Sequence, residues 1–159
     1  MKHTISALVA NRSGVLADMA EEFKKYNLNI QSISCGQTEN PEVSRMVICL
    51  DAPDGAMDEI TAAVAAMDFV IQVDDLARKE FVDRELVLMK VQRTGAGLSQ
   101  LMQILEVFRA SVVGMGEQSI TVELSGDSER VEGLIKMLAP FGILSMARTG
   151  KIALKRGDE

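Results

Sequence analysis

Hydrophobic and polar positions follow two different spacings along this chain, and the changes between them predict an ordered series of strands and helices. Residues 5–9, Ile-Ser-Ala-Leu-Val, form a short, mostly apolar run that is typical of a strand. In residues 15–23 apolar side chains recur every three or four positions, as they do on one face of an amphipathic helix. The same criteria predict strands at 27–34, 46–50 and 69–73 and a helix at 57–67. Residues 1–77 therefore have the predicted order β-α-β-β-α-β.

The same order of elements recurs in the second half of the chain. Strands are predicted at 85–91, 111–115, 119–124 and 143–147, helices at 98–108 and 128–138, and a glycine-rich turn at 94–97. A shift of 82 residues aligns strand, turn, helix and next strand without a gap, so that Leu16 meets Leu98 and Phe23 meets Leu105. We therefore predict an α+β chain of two tandem ferredoxin-like βαββαβ domains, residues 1–77 and 78–159. Each domain has a four-stranded antiparallel sheet with two helices on one face.

Several side chains have predicted structural roles. Ser13 and Asp127 stand where the first and last helices need an N-cap. His3 is predicted to be a surface residue of an edge strand, and Cys35 and Cys49 to be free thiols. The methionines on apolar helix faces are predicted core residues: Met19, Met57, Met67, Met102 and Met137.

Composition and charge exclude several classes of function. One His and two Cys are too few for an ordinary zinc site, and 4% aromatic residues are too few to stack single-stranded nucleic acid. A net charge of −6 argues against general phosphate binding. Residues 1–77 hold five basic and twelve acidic residues, whereas residues 78–159 hold twelve and eleven. No segment has the length or composition of a signal peptide or a membrane helix, so we expect a cytoplasmic protein.

The turn between the first strand and the first helix is the strongest candidate site. It runs from Asn11 to Leu16 with the sequence NRSGVL. Glycine lets the backbone approach a ligand closely, and the unpaired N–H groups at the start of a helix favour a carboxylate. The Asn11 amide can donate to or accept from a ligand. The same residues also make an ordinary turn and cap, and Asn29 suits either a solvated strand or a subunit interface, so both interpretations stay open.

Six short motifs in order carry a resemblance to a known family. They are Asn11-x-Ser-Gly-x-Leu16, Tyr26-Asn-Leu-Asn-Ile-Gln-Ser32, Thr38-Glu-Asn-Pro41 with Ser44-Arg-Met46, Arg84-Glu-Leu-Val-Leu-Met-Lys90, Phe108-Arg109 and Ala147-Arg-Thr-Gly150. Together they resemble the small regulatory subunits of acetohydroxyacid synthase, also called acetolactate synthase, whose N-terminal domain is an ACT domain. The resemblance covers almost the whole chain. It departs from the usual pattern at Arg12 and Gln31, where the family commonly has an acidic residue.

The resemblance implies a homodimer that binds valine, or another branched-chain amino acid, at the interface between two ACT domains. The effector contacts that it implies are Asn11, Ser13, Gly14, Val15 and Leu16 from one copy and Asn29 and Ile30 from the other. It also implies that the chain activates a separate catalytic subunit and confers feedback inhibition on it. The chain itself has no catalytic residue, metal or cofactor in this interpretation. Thiamine diphosphate, Mg²⁺ and FAD are expected on the catalytic partner.

Two other functions remain open from the sequence. A stand-alone amino-acid-binding module that controls another enzyme or a transcription factor shares the N-terminal site but has no such catalytic partner. A small enzyme on a ferredoxin-like scaffold needs an acid–base cluster, which the residue pattern does not supply. Neither nucleic acid nor membrane is an expected partner.

Overall fold

The computed structural model describes residues 2–93 and 95–158, with all of their side chains except that of residue 54. The chain divides into two compact units, which are Met1–Val82 with Lys151–Glu159, and Asp83–Gly150. No helix within the described ranges is both long enough and apolar enough to cross a membrane.

The first unit contains a four-stranded antiparallel sheet and two helices. Its main elements are β1 (Lys2–Ala10), α1 (Val15–Lys25), β2 (Ile30–Gln37), β3 (Val43–Asp51), α2 (Asp54–Ala65) and β4 (Val70–Asp75). The strand order is β2-β3-β1-β4, which leaves β2 and β4 at the edges. Ile5, Ala7 and Val9 alternate toward one face of β1, where they pack with Met19 and Ile60 of the two helices.

The opposite face of this sheet is also covered. Val47 of β3 packs there in a small cluster with Leu76, Phe81 and Ala153, the last of which lies in β9 (Ile152–Lys155). The N–H of Arg156 donates to the carbonyl of residue 80 at 2.9 Å and ties the end of the chain to this cover. Residues 151–159 therefore group with the first unit, whereas the sequence pattern had assigned them to a second domain beginning at residue 78.

The second unit repeats the arrangement of the first. Its elements are β5 (Phe81–Gln92), α3 (Leu98–Phe108), β6 (Ser111–Met115), β7 (Ser119–Gly126), α4 (Ser128–Leu138) and β8 (Ile143–Arg148). The strand order is β6-β7-β5-β8, and β9 also pairs with β5. Gly95–Gly97 forms a short 3₁₀ turn, while Thr94 of the predicted turn lies outside the described residues.

Backbone irregularities recur at the same 82-residue shift as the hydrophobic pattern. The β1–β4 pairing shifts register between Leu8 and Val9, and the β5–β8 pairing shifts between Lys90 and Val91. The bulges in β2 and β6 lie between Ile30 and Ser32 and between Val112 and Gly114. Asn27 and Arg109, each just past the first helix of its unit, have φ of 54° and 53°. The predicted fold of two ferredoxin-like α+β units is confirmed.

Two of the local predictions about side chains near the first sheet and its helix are wrong. The N-cap of α1 is Gly14 rather than Ser13, because the chain turns into the helix through a left-handed glycine and no side chain caps it. His3 is not on an edge strand, because β1 lies between β3 and β4. His3 is only 4% exposed, and its Nδ1 lies 3.3 Å from Asp75 Oδ2.

Of the remaining side-chain predictions, some are confirmed and others are wrong. Asp127 caps α4 as predicted, because its Oδ1 accepts the N–H of Arg130 at 2.8 Å. Cys35 and Cys49 are free thiols, as predicted. Met19 and Met57 are buried, whereas Met102 and Met137 are 42% and 48% exposed, so their assignment to the core was wrong. A helical repeat places a side chain on a face, but the width of that face depends on what packs beside it.

Candidate functional site

The turn from Asn11 to Leu16 joins the end of β1 to the start of α1. Val15 is buried and anchors the turn in the core, whereas Asn11, Ser13 and Gly14 are exposed and Leu16 is 48% exposed. The φ of Gly14 is +90°, a conformation that an L side chain rarely adopts. A Cβ added at Gly14 meets nothing within 4 Å, so the space beside the glycine is open. The conformation of the turn, rather than crowding, requires glycine here.

The start of α1 supplies the chemistry of this turn. Because α1 begins at Val15, the N–H groups of its first residues have no intrahelical acceptor. They also lie at the positive end of the helix dipole. A carboxylate is the ligand group that matches both properties.

Asn11 fixes the neighbouring turn between β2 and β3. Its backbone N–H donates to the carbonyl of Glu42 at 2.7 Å, and its side-chain Nδ2 donates to the carbonyl of Pro41 at 2.9 Å. Gln37 Nε2 donates to the same Pro41 carbonyl at 3.0 Å. The Asn11 Nδ2 group is thus occupied by the protein, and Oδ1 is the atom of its amide that remains suited to an ammonium group.

The turn at 38–42 is itself ordered by its own side chains. Thr38 Oγ1 donates to the carbonyl of Val43 at 2.9 Å, and Asn40 Oδ1 accepts the N–H of Glu42 at 3.1 Å. With the two bonds from Asn11, these contacts fix the turn at 38–42, and with it the end of β2, relative to the end of β1 across the intervening strand β3. A residue at the end of β2 therefore has a fixed position relative to Asn11.

Arg12 has a role that its position in the sequence did not reveal. Its Nη2 donates to both oxygens of Asp68, at 3.0 and 3.2 Å, and its guanidinium lies 5.6 Å from the centre of the Phe69 ring. The N–H of Ala10 also donates to the carbonyl of Phe69 at 2.8 Å. Asp68 therefore balances the charge of Arg12. It also holds the Arg12 guanidinium beside the segment that connects α2 to β4. The two partners lie 56 residues apart, and no local pattern connects them.

Asn29 and Ile30 lie at the other end of the same sheet. Ile30 pairs with Leu50, and Leu50 pairs with His3 near the start of β1, whereas Asn11 follows the end of β1. Seven residues of strand separate His3 from Ala10, which is about 23 Å. One copy of the chain therefore does not bring Asn29 and Ile30 to the turn at 11–16.

The surroundings of Asn29 and Ile30 form a shallow depression at the end of α1. Its other lining residues are Ala20, Lys24, Asn27 and Leu28. Gln31, the second departure from the family pattern, donates through Nε2 to Asp51 Oδ2. This contact holds the Gln31 side chain, on the edge strand β2, against Asp51 at the end of the neighbouring strand β3.

The second unit contains a cluster of charged side chains that bind one another and so stabilise that unit. Arg148 Nε and Nη2 donate to the two oxygens of buried Glu85, at 2.7 and 2.9 Å, and Nη2 also reaches Glu132 at 2.7 Å. The hydrogen bonds that Arg148 donates to Glu85 raise the pKa of Arg148 above its ordinary value. Within residues 2–93 and 95–158, no group of three or more His, Cys, Asp or Glu side chains could hold a metal ion.

Comparisons with known proteins identify the family of the chain. A family model described as an AHAS small subunit-like ACT domain matches residues 5–72, and one described as the small subunit of acetolactate synthase matches residues 84–157. The chain is 38% identical to the acetolactate synthase small subunit of Bacillus subtilis, over 100% of this chain and 93% of the relative. It is 37% identical to that of Mycobacterium bovis, over 98% of this chain and 92% of the relative.

A solved structure gives the same result for the fold. The crystal structure of the acetolactate synthase small subunit from Thermotoga maritima matches with a TM-score of 0.86 at 28% identity. The match covers 100% of this chain and 99% of that one. The chain belongs to the acetolactate synthase small-subunit family.

Proposed function

We propose that this chain is the non-catalytic regulatory subunit of an acetolactate synthase, with an amino-acid effector site made by two copies of its first unit. The observation that carries the proposal is the turn at 11–16, where the left-handed Gly14 and the start of α1 leave N–H groups beside open space. Membership of the small-subunit family supplies the enzyme that such a site would control.

The separation of Asn29 and Ile30 from the turn is the reason for two copies. β2 is an edge strand, and its sequence IQSISCGQ has no charged residue to prevent pairing with another strand. If two β2 strands pair antiparallel about a two-fold axis, the start of one strand lies beside the end of the other. The end of β2 is held next to Asn11 through Gln37 and Pro41. This pairing would bring the partner copy's Asn29 and Ile30 to the turn.

The chemistry of the combined site favours a small aliphatic amino acid. The N–H groups at Gly14, Val15 and Leu16 suit the α-carboxylate, and Asn11 Oδ1 suits the ammonium group. Leu16 and Ile30 offer apolar surface for the side chain. Arg12 is already paired with Asp68. Its charge therefore does not favour an effector that carries a second carboxylate in its side chain. Valine buries two more carbon groups than alanine, worth about 1.6 kcal/mol at ~0.8 kcal/mol for each.

Regulation follows from linkage between this site and the catalytic partner. Valine inhibits only if it binds more tightly to a complex whose catalytic subunit is less active. In this proposal the catalytic subunit carries the thiamine diphosphate, Mg²⁺ and FAD, and the chain described here contributes contacts alone.

Reconstitution tests the proposal. The purified chain is mixed with the catalytic subunit of the same source, and acetolactate formation from pyruvate is measured with and without valine. We expect the chain to raise the rate and valine to lower it only when the chain is present. A catalytic subunit that neither binds this chain nor changes its rate would contradict the proposal, and valine binding by the chain alone would then favour a stand-alone sensor.

A further inference from the structure

The side chain of Arg12 ties the turn at 11–16 to the segment that connects α2 to β4. Arg12 Nη2 donates to both carboxylate oxygens of Asp68, and the guanidinium lies over the ring of Phe69. Phe69 is only 5% exposed and belongs to the core of the first unit. Arg12 is therefore attached to a segment that is held in place by its own packing.

The connection between α2 and β4 has an exact counterpart in the second unit. The N–H of Ala10 donates to the carbonyl of Phe69 at 2.8 Å. At the 82-residue shift, the N–H of Gln92 donates to the carbonyl of Gly142, also at 2.8 Å. Phe69 and Gly142 are therefore equivalent positions of the two units.

The ion pair, in contrast, belongs to the first unit alone. The same equivalence sets Thr94 against Arg12 and Phe141 against Asp68. Because neither Thr nor Phe carries a charge, an ion pair can form at these positions only in the first unit. The duplicated fold does not require it, and it accompanies the turn that is the candidate effector site.

The turn is held from both sides of β1, which lies between β3 and β4. Asn11 bonds to the carbonyl of Pro41 before β3, and Arg12 bonds to Asp68 before β4. Ser13 and Gly14 follow, both of them exposed, and no side chain caps α1. The position of residues 13 and 14 therefore depends on the side chains that hold the residues just before them.

We propose that Arg12 and Asp68 are positioning residues of the effector site. Their pairing holds Ser13 and Gly14 in the conformation that presents the N–H groups at the start of α1. This role rests on the proposed function, although the pair itself can be tested without an effector. An effector binds more weakly to a turn that is partly in other conformations, because the apparent dissociation constant rises as the competent fraction falls.

The substitution Asp68→Asn separates this role from a direct attraction between Arg12 and the effector. If Arg12 attracted the effector carboxylate directly, removal of the Asp68 charge would leave Arg12 unbalanced and would tighten binding. If the pair positions the turn, the same substitution releases Arg12 and weakens binding. Asn has nearly the shape of Asp, so the sign of the change in affinity distinguishes the two mechanisms.

Backbone dynamics of the full-length chain test the tie without an effector. Amide nitrogen NMR relaxation gives order parameters for Ser13 and Gly14, and we expect a fall from about 0.85 in the wild type to about 0.65 in Asp68→Asn. Asp58→Asn is the matched control, because Asp58 also accepts from an arginine, Arg78, and is 76% exposed against 81% for Asp68. The control should leave both order parameters unchanged. Unchanged values in Asp68→Asn would overturn the proposal.

Isothermal titration calorimetry with valine tests the consequence for binding. We expect Asp68→Asn to bind valine about threefold more weakly than the wild type, and Asp58→Asn to bind it equally well. When added to Arg12→Met, Asp68→Asn should have no further effect, because its partner is already absent. Tighter binding by Asp68→Asn, or a second threefold loss in the double variant, would overturn the proposal.

The two measurements separate a failure of this proposal from a failure of the proposed function. A wild-type chain that binds no valine contradicts the effector site, and the order parameters then still decide whether the pair holds the turn. A wild-type chain that binds valine with the same affinity as Asp68→Asn keeps the effector site and overturns the role of the pair.

Discussion

Gly14 is the position where the proposed effector site can be changed with the least effect on the rest of the fold. Its φ is +90°, and a new Cβ meets nothing within 4 Å, so a substitution costs backbone strain but causes no clash. Asn and Asp are the non-glycine residues that best tolerate this conformation, at a strain of about 1–2 kcal/mol. Gly14→Asn and Gly14→Asp therefore have nearly the same shape and strain, and they differ in one negative charge.

The difference in effector affinity between these variants follows from the charge alone. The repulsion is worked out for an assumed separation of roughly 5 Å between a carboxylate at position 14 and that of an amino acid bound at the start of α1. Repulsion at that distance is about 0.8 kcal/mol in water and about 3 kcal/mol at an effective dielectric constant of 20. We therefore expect Gly14→Asp to bind valine about 4- to 150-fold more weakly than Gly14→Asn.

Isothermal titration calorimetry on the full chain measures this difference directly. Urea unfolding confirms that both variants are folded to the same extent. Activation of the catalytic subunit should be the same for both, because activation in this proposal does not require a bound effector. Equal valine affinities in Gly14→Asp and Gly14→Asn would refute a carboxylate site at this turn.

Three further predictions concern the stability of the fold and the turn that positions the candidate site. Glu85→Gln should lower the free energy of unfolding by about 2 kcal/mol in a urea titration, because it leaves Arg148 without its buried carboxylate partner. Asn11→Ala should cost about 1 kcal/mol and weaken valine binding in calorimetry, because it releases the turn at 38–42. The hydrogen bond from Lys79 lowers the pKa of Asp74, so the stability from this pair is lost as the pH falls through that lowered pKa. Wild type should therefore lose more stability than Asp74→Asn between about pH 5 and pH 2, and equal losses would contradict this.

The sequence was sufficient for the repeated fold because the same local features occur twice. The hydrophobic spacing predicted the elements, and the 82-residue shift predicted their equivalence. The structure adds bulges at equivalent positions, after Leu8 and Lys90, which the sequence did not predict. The grouping of β9 with the first unit could not be predicted. It depends on Ala153 packing near Val47 and Leu76, which is a contact between distant parts of the chain. The alternating pattern of the last strand allows either assignment.

The candidate site was predictable only in part for the same reason. The turn at 11–16 is local, so its glycine and the start of its helix are visible in the sequence. The bond from Asn11 to Pro41 and the pairing of Arg12 with Asp68 join residues 30 and 56 positions apart. The inner position of His3 depends on strand order, which alternation along β1 alone does not determine.

The central claim is that one copy supplies the turn and the other supplies Asn29, and mixed dimers test it most directly. Chains with Gly14→Asp and chains with Asn29→Ala are each prepared alone and then mixed after dissociation. Valine binding is measured at a concentration that fills wild-type sites but neither variant. In a mixed dimer one site has both defects and the other has none, so random mixing should restore wild-type affinity at about one quarter of all sites. If both residues act within one copy, every site keeps a defect and mixing restores no binding, which would contradict the account.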